Sequence, residues 1–122
     1  MAYNEELLIR VRAALAHLPK VQEKKMFSGI TFMVNGKMCI SVGNNRIMCR
    51  IDPSIHDTTV CKPGCRPVIM KGKEYKGFVH VDEDVIETED KLEYLVKLAL
   101  DYNKIAKASI KTKRKVRQDY GR

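Results

Sequence analysis

The sequence predicts a two-layer α+β domain. Its mainly antiparallel sheet of about five strands, a β-meander plus a hairpin, is covered on one face by an N-terminal and a C-terminal helix. Three observations predict it. Asn35-Gly36, set between two apolar runs, is the turn of a two-residue β-hairpin, because both residues accept the positive φ that such a turn needs. Apolar residues recur at helical spacing near each end, at Leu7, Leu8, Val11, Leu15 and Leu18 and again at Leu92, Leu95, Val96, Ala99 and Leu100. The chain has 122 residues, a single-domain length that can build a core without metal or disulfides.

The elements follow in order. Asn4 is the expected N-cap of a first helix over residues 5–18, with Glu5 and Glu6 placed to favour the helix dipole and Pro19 to stop it. The meander comes next. The Asn35-Gly36 turn sets Val34 opposite Lys37, Met33 opposite Met38 and Thr31 opposite Ile40. A second turn near Gly43-Asn44-Asn45 sets Val42 opposite Ile47 and Ile40 opposite Cys49. Asp52-Pro53-Ser54 opens a short helix through about residue 60, and Pro63-Gly64 marks a turn. Strands over 68–70 and 78–81 flank a connection over 71–77. Thr88-Glu89-Asp90 starts a long helix expected to reach about residue 110.

Strict alternation through the meander predicts two faces. One carries Met33, Met38, Ile40, Val42, Ile47, Cys49 and Ile51, and is expected beneath the helices. The other carries Ile30, Phe32, Val34, Cys39, Ser41, Met48 and Arg50. It is more apolar than a solvated face needs, so Ile30, Phe32, Val34 and Met48 are the expected surface for a protein partner or a second copy. Gly29 is expected where strands approach closely, and Met26 and Phe27 as plugs of the helix–sheet junction.

Charge divides the chain unevenly. The net charge is +8. Residues 103–122 hold eight Lys or Arg against Asp119 alone, hence +7, which leaves +1 for residues 1–102. The reading is a nearly neutral domain over 1–102 with a basic extension over 103–122. Lys104, Lys107, Lys111, Lys113, Arg114, Lys115 and Arg117 could meet phosphates, which gives affinity without base readout; the plainer alternative is a solubilising terminus. No run of about 18 apolar residues exists, so no membrane span is expected. The acidic start Met1-Ala2-Tyr3-Asn4-Glu5-Glu6 lacks a signal peptide's pattern, so the expected location is cytoplasmic. Cys39, Cys49, Cys61 and Cys65 are then expected as free thiols.

No group of residues predicts catalysis. Cys61 and Cys65 frame Pro63-Gly64 at a spacing open to a disulfide or half a metal site. The alternating register puts Cys39 and Cys49 on opposite faces, so they cannot complete it together. His17, His56 and His80 are scattered, and His56-Asp57 beside Ser54 is not a triad. Lys76-Gly77-Phe78-Val79-His80-Val81 echoes an RNA-recognition motif but lacks its second stacking aromatic, and Lys71-Gly72-Lys73 lacks the rest of a phosphate loop. The acids Asp82, Glu83, Asp84, Glu87, Glu89 and Asp90 read as helix-dipole compensation. The expectation is a protein with no enzymatic activity, no cofactor, no metal and no small-molecule substrate.

Several stretches, in order, carry a resemblance. They are Lys25-Met26-Phe27-Ser28-Gly29, Phe32-Met33 and Asn35-Gly36-Lys37-Met38, then Arg50-Ile51-Asp52-Pro53 and Gly64-Cys65-Arg66-Pro67. Lys76-Gly77-Phe78-Val79-His80-Val81-Asp82 and Leu92-Glu93-Tyr94-Leu95-Val96 complete the set. Together they resemble the N-terminal domain of the TfoX/Sxy competence regulators up to about residue 100. Ser28 stands where that family usually has a second glycine and Tyr94 where it often has tryptophan. A basic extension stands where longer members carry a second, helical domain. The resemblance implies a compact α+β domain, no enzyme activity, and a bacterial regulatory role in transcription of DNA-uptake genes beside the cyclic-AMP receptor protein.

Overall fold

The computed structural model describes residues 3–26 and 29–106. Its elements are α1 (Glu5–Ala14), β1 (Val21–Met26), β2 (Gly29–Val34), β3 (Lys37–Val42), β4 (Arg46–Arg50), α2 (His56–Val60), β5 (Cys65–Met70), β6 (Lys73–Asp82) and α3 (Glu89–Asn103). The six strands form one open sheet in the order β1-β2-β3-β4-β6-β5, and every neighbouring pair is antiparallel. The α+β expectation holds, with six strands in place of five. The added strand is β1. Its sequence Val21-Gln22-Glu23-Lys24-Lys25-Met26 has no apolar alternation, because four of its six side chains are exposed at the sheet edge. It forms through full pairing with β2, and through Arg12 of α1, whose Nε and Nη2 donate to Glu23 at 2.7 and 2.8 Å.

The helix caps are those the sequence predicts. Asn4 Oδ1 accepts from the Leu7 N–H at 3.0 Å, and the Thr88 side chain accepts from the Lys91 N–H. Both helices are shorter than expected. α1 ends at Ala14, and the chain turns through Leu15, whose side chain still packs inward. α3 ends at Asn103; residues 104–106 leave the helix, and the rest of the expected extension lies outside the described residues. The end of α3 is clamped onto the hairpin. Asn103 Nδ2 donates to the Val34 carbonyl at 3.2 Å, and Lys37 Nζ donates to the carbonyls of Asn103 at 2.7 Å and Ala106 at 3.1 Å. A lysine on the last carbonyls satisfies acceptors that the helix leaves open.

Both tight hairpins use positive φ at two residues, Asn35 (55°) with Gly36 (77°) and Lys71 (54°) with Gly72 (74°). The second turns within two residues, so β6 starts at Lys73 and the expected connection over 71–77 is mostly strand.

The register of the meander departs from strict alternation at one place. Val34 faces Lys37 and Met33 faces Met38, as the turn dictates, but Phe32 faces Ile40 and Thr31 faces Ser41. Cys39 is the unmatched residue of a β-bulge. A bulge advances one strand by a residue, and a one-residue shift exchanges the faces of everything beyond it. Ile30, Phe32 and Val34 therefore point to the helices, where they join Cys39, Ile40, Val42, Ile47, Cys49 and Ile51 in the main core. Leu7, Leu8, Val11 and Leu15 close this core from the α1 side, and Leu92, Leu95, Val96 and Ala99 from α3.

The sheet edges differ from its centre. β1 offers charged, exposed side chains along its free side. β5, the other edge, carries the exposed Arg66 and the half-buried Pro67, which has no N–H to offer a further strand. Among the described residues no helix is long and apolar enough to cross a membrane.

Candidate functional site

The sheet face turned away from the helices holds a second apolar cluster. Met33, Met38, Met48 and Val68 are buried at its centre, with Met26, Met70 and Phe78 half-buried around them. Five of the six methionines in the chain gather here, and among the described residues no helical residue belongs to the cluster. Pairing explains the grouping. Met48 lies opposite His80, Arg50 opposite Phe78, Arg46 opposite Asp82, and Arg66 opposite His80, so these side chains share one face. Arg50 stacks between two rings, 5.6 Å from the centroids of Phe78 and of Tyr102 on α3. Arg66 pairs with Asp82. Thioethers adapt their shape to what they meet, which suits such a layer to contact.

His80 sits within this face. Its Nδ1 is buried without a hydrogen-bond partner among the described residues. Burial, then the charges of Arg46 and Arg66, push its pKa down to about 4, against a smaller upward pull from Asp82. The imidazole stays neutral near pH 7.

Of the four residues the sequence offers as a contact surface, Met48 alone lies on this second face. Ile30, Phe32 and Val34 are corrected: they are 8%, 0% and 3% exposed, on the helix side. The cause is the bulge at Cys39, which also reverses the assignment of Met33 and Met38. Lys104 is exposed just past α3, while Lys107, Lys111, Lys113, Arg114, Lys115 and Arg117 lie outside the described residues, as do Phe27 and Ser28.

The same bulge corrects the cysteines. Cys39 and Cys49 both belong to the helix-side core, with Cys65 beside them. Burial raises all three thiols, Cys39 to about 12, so they remain protonated and unreactive. Cys61 is exposed.

His56, Asp57 and Glu74 converge, with ligand atoms within 4.8 Å of one another. The geometry describes a lock, not a metal site. His56 is fully buried, and its Nδ1 accepts from the Gly77 N–H at 2.9 Å, so Nε2 carries the proton and donates to Glu74 Oε2 at 2.8 Å. Neither nitrogen has a lone pair to spare. Lys76 Nζ already stands 2.6 Å from Asp57 Oδ1 and 4.0 Å from Glu74. The lock holds α2 against the kink of β6, where Gly77 has φ of 89°.

A groove of about 700 Å³ runs between the C-terminal ends of α1 and α3. Ala14, Leu18, Val96 and Leu100 line it, and Lys97 and Asp101 on its rim pair with each other at 3.1 Å.

Compared with known proteins, the chain matches the family model of the TfoX N-terminal domain over residues 13–102. A search of curated proteins returns no match.

Proposed function

The chain belongs to the TfoX N-terminal domain family, and on that footing we propose that it is a non-enzymatic regulatory domain that acts through protein contact and is linked to transcription. The observation that carries this reading is the methionine face. A sheet normally buries one face and solvates the other. Here the side away from the helices carries its own apolar layer, with Met70 and Phe78 reaching its surface and Arg46, Arg50 and Arg66 beside it. The partner is a protein or a second copy of this chain. Affinity capture from native lysate, with and without nuclease, tests the reading when run with wild-type chain and a Met70→Ser/Phe78→Ser variant, alongside sedimentation of both. Nuclease-resistant capture or self-association that the variant loses supports it. A monomer with no nuclease-resistant partner overturns it.

A second reading is favoured by one feature, the concentration of +7 in residues 103–122. In it the extension holds nucleic acid through phosphates, starting at the exposed Lys104. Binding to duplex DNA at low salt is then expected to fall steeply as salt rises and to be lost on truncation after Ala106. Equal binding by the truncated chain would refute it.

A further inference from the structure

A second site lies away from the methionine face, where α2, the turn after it and α3 meet. A cleft of about 210 Å³ opens there, walled by Pro63, Val85, Leu95 and Leu98, with the buried Cys65 beside them. Its shape is set by the backbone. Gly64 has φ of 79°, and an added Cβ would collide with the Val85 side chain, so Val85 packs directly on the turn as one wall. The mouth is polar. Lys62 Nζ sits 5.3 Å over the Tyr94 ring and donates to the Tyr94 hydroxyl at 3.3 Å. Tyr94 is half exposed, at 51%, one of the large hydrophobic side chains left at the surface among the described residues. Asp90 and Lys91 also line the cleft, so its charged groups are two lysines and one aspartate. Neither Lys62 nor Lys91 makes an ion pair among the described residues, and Lys62 is the cation held at the mouth by its contact with Tyr94.

We propose that this cleft binds a small organic acid, with its carboxylate at Lys62 and an apolar body about the size of a benzene ring against Leu95 and Leu98. The volume suits this class: an apolar cavity of roughly 150 Å³ holds benzene, and drug-sized ligands need about 300 Å³ or more. The charge selects the acid. A carboxylate gains the Lys62 ammonium and the Tyr94 hydroxyl, while a neutral polar group of the same shape gains only a hydrogen bond. The site stands apart from the contact face and does not depend on it.

Amide shifts of the full chain, titrated to about 10 mM with phenylacetate, phenylacetamide and acetate, test the proposal at the concentrations where millimolar sites saturate. Phenylacetate is expected to move residues 62–65, Val85 and residues 94–98 saturably, and acetate to leave them unmoved. Phenylacetamide is expected to bind about 2–5-fold more weakly, the effect of one exposed ion pair. Lys62→Gln should bring the acid down to the amide's affinity, and Leu98→Trp, which fills the cleft, should abolish both. Equal affinity for acid and amide, shifts elsewhere on the surface, or no saturable shift would overturn it. The acid-against-amide comparison on wild-type chain decides the matter even if Leu98→Trp does not fold.

Discussion

His80 shows how one side chain writes the domain's response to pH. Its ordinary pKa of 6.5 falls to about 4 in the folded chain. Between those values the unfolded chain binds a proton that the folded chain refuses, so stability rises with pH across the window and is lost as pH falls through it. The neighbours that face it are Met48 from β4, Arg46 and Arg66, and Asp82 on its own strand. Urea midpoints should therefore drop from about pH 6.5 to about pH 4, and His80→Phe should flatten that slope. The carboxylates of Glu23, Asp52 and Asp57 are held below their usual values by Arg12, the Ser54 N–H and Lys76 respectively, so their contribution is lost only at more acid pH. A slope that persists in His80→Phe would place the titrating group elsewhere. None of this is legible in the sequence, where His80 is one of three scattered histidines. Its buried nitrogen depends on a face that strict alternation assigns wrongly.

Among the elements, the bulge in β3 matters most. The sequence specifies the Asn35-Gly36 turn, both helix caps, α2 and five of the six strands through local chemistry. Those features need only residues adjacent in sequence. Cys39 leaves no such mark, because a bulge is decided by how β3 fits β2 and the helices above it. One inserted residue then reverses Ile30, Phe32 and Val34 together, and the candidate contact surface moves with them. β1 is hidden for a related reason: an exposed edge strand has no apolar face to announce it. A substitution distinguishes the two registers. Phe32→Ala should cost about 3–5 kcal/mol in denaturant unfolding, as a fully buried ring does, with no specific effect on partner capture. A surface role would give the opposite pattern. Gly29 is legible as a close approach, and an added Cβ there would indeed meet the Val42 carbonyl.

For the molecule as a whole, the useful boundary lies later than the change in charge suggests. Composition divides the chain after residue 102, yet Asn103 is buried and bonded to Val34, and Ala106 receives a bond from Lys37. A chain ending at Ala106 keeps all three bonds of the clamp. One ending at Tyr102 should be less stable by about 1–3 kcal/mol, because the Val34 carbonyl and the Lys37 ammonium lose their partners. Matching midpoints for the two truncations would show the clamp to be dispensable. It follows that a nucleic-acid experiment on the shorter of the two chains would confuse lost charge with lost packing.

The rims of the sheet have their own consequence. With lysines and a glutamate along one border and a proline in the other, neither invites a neighbouring molecule to continue the ladder. Concentrated solutions of this chain should therefore resist growing into ribbons, and whatever companions it keeps must come to it face-on.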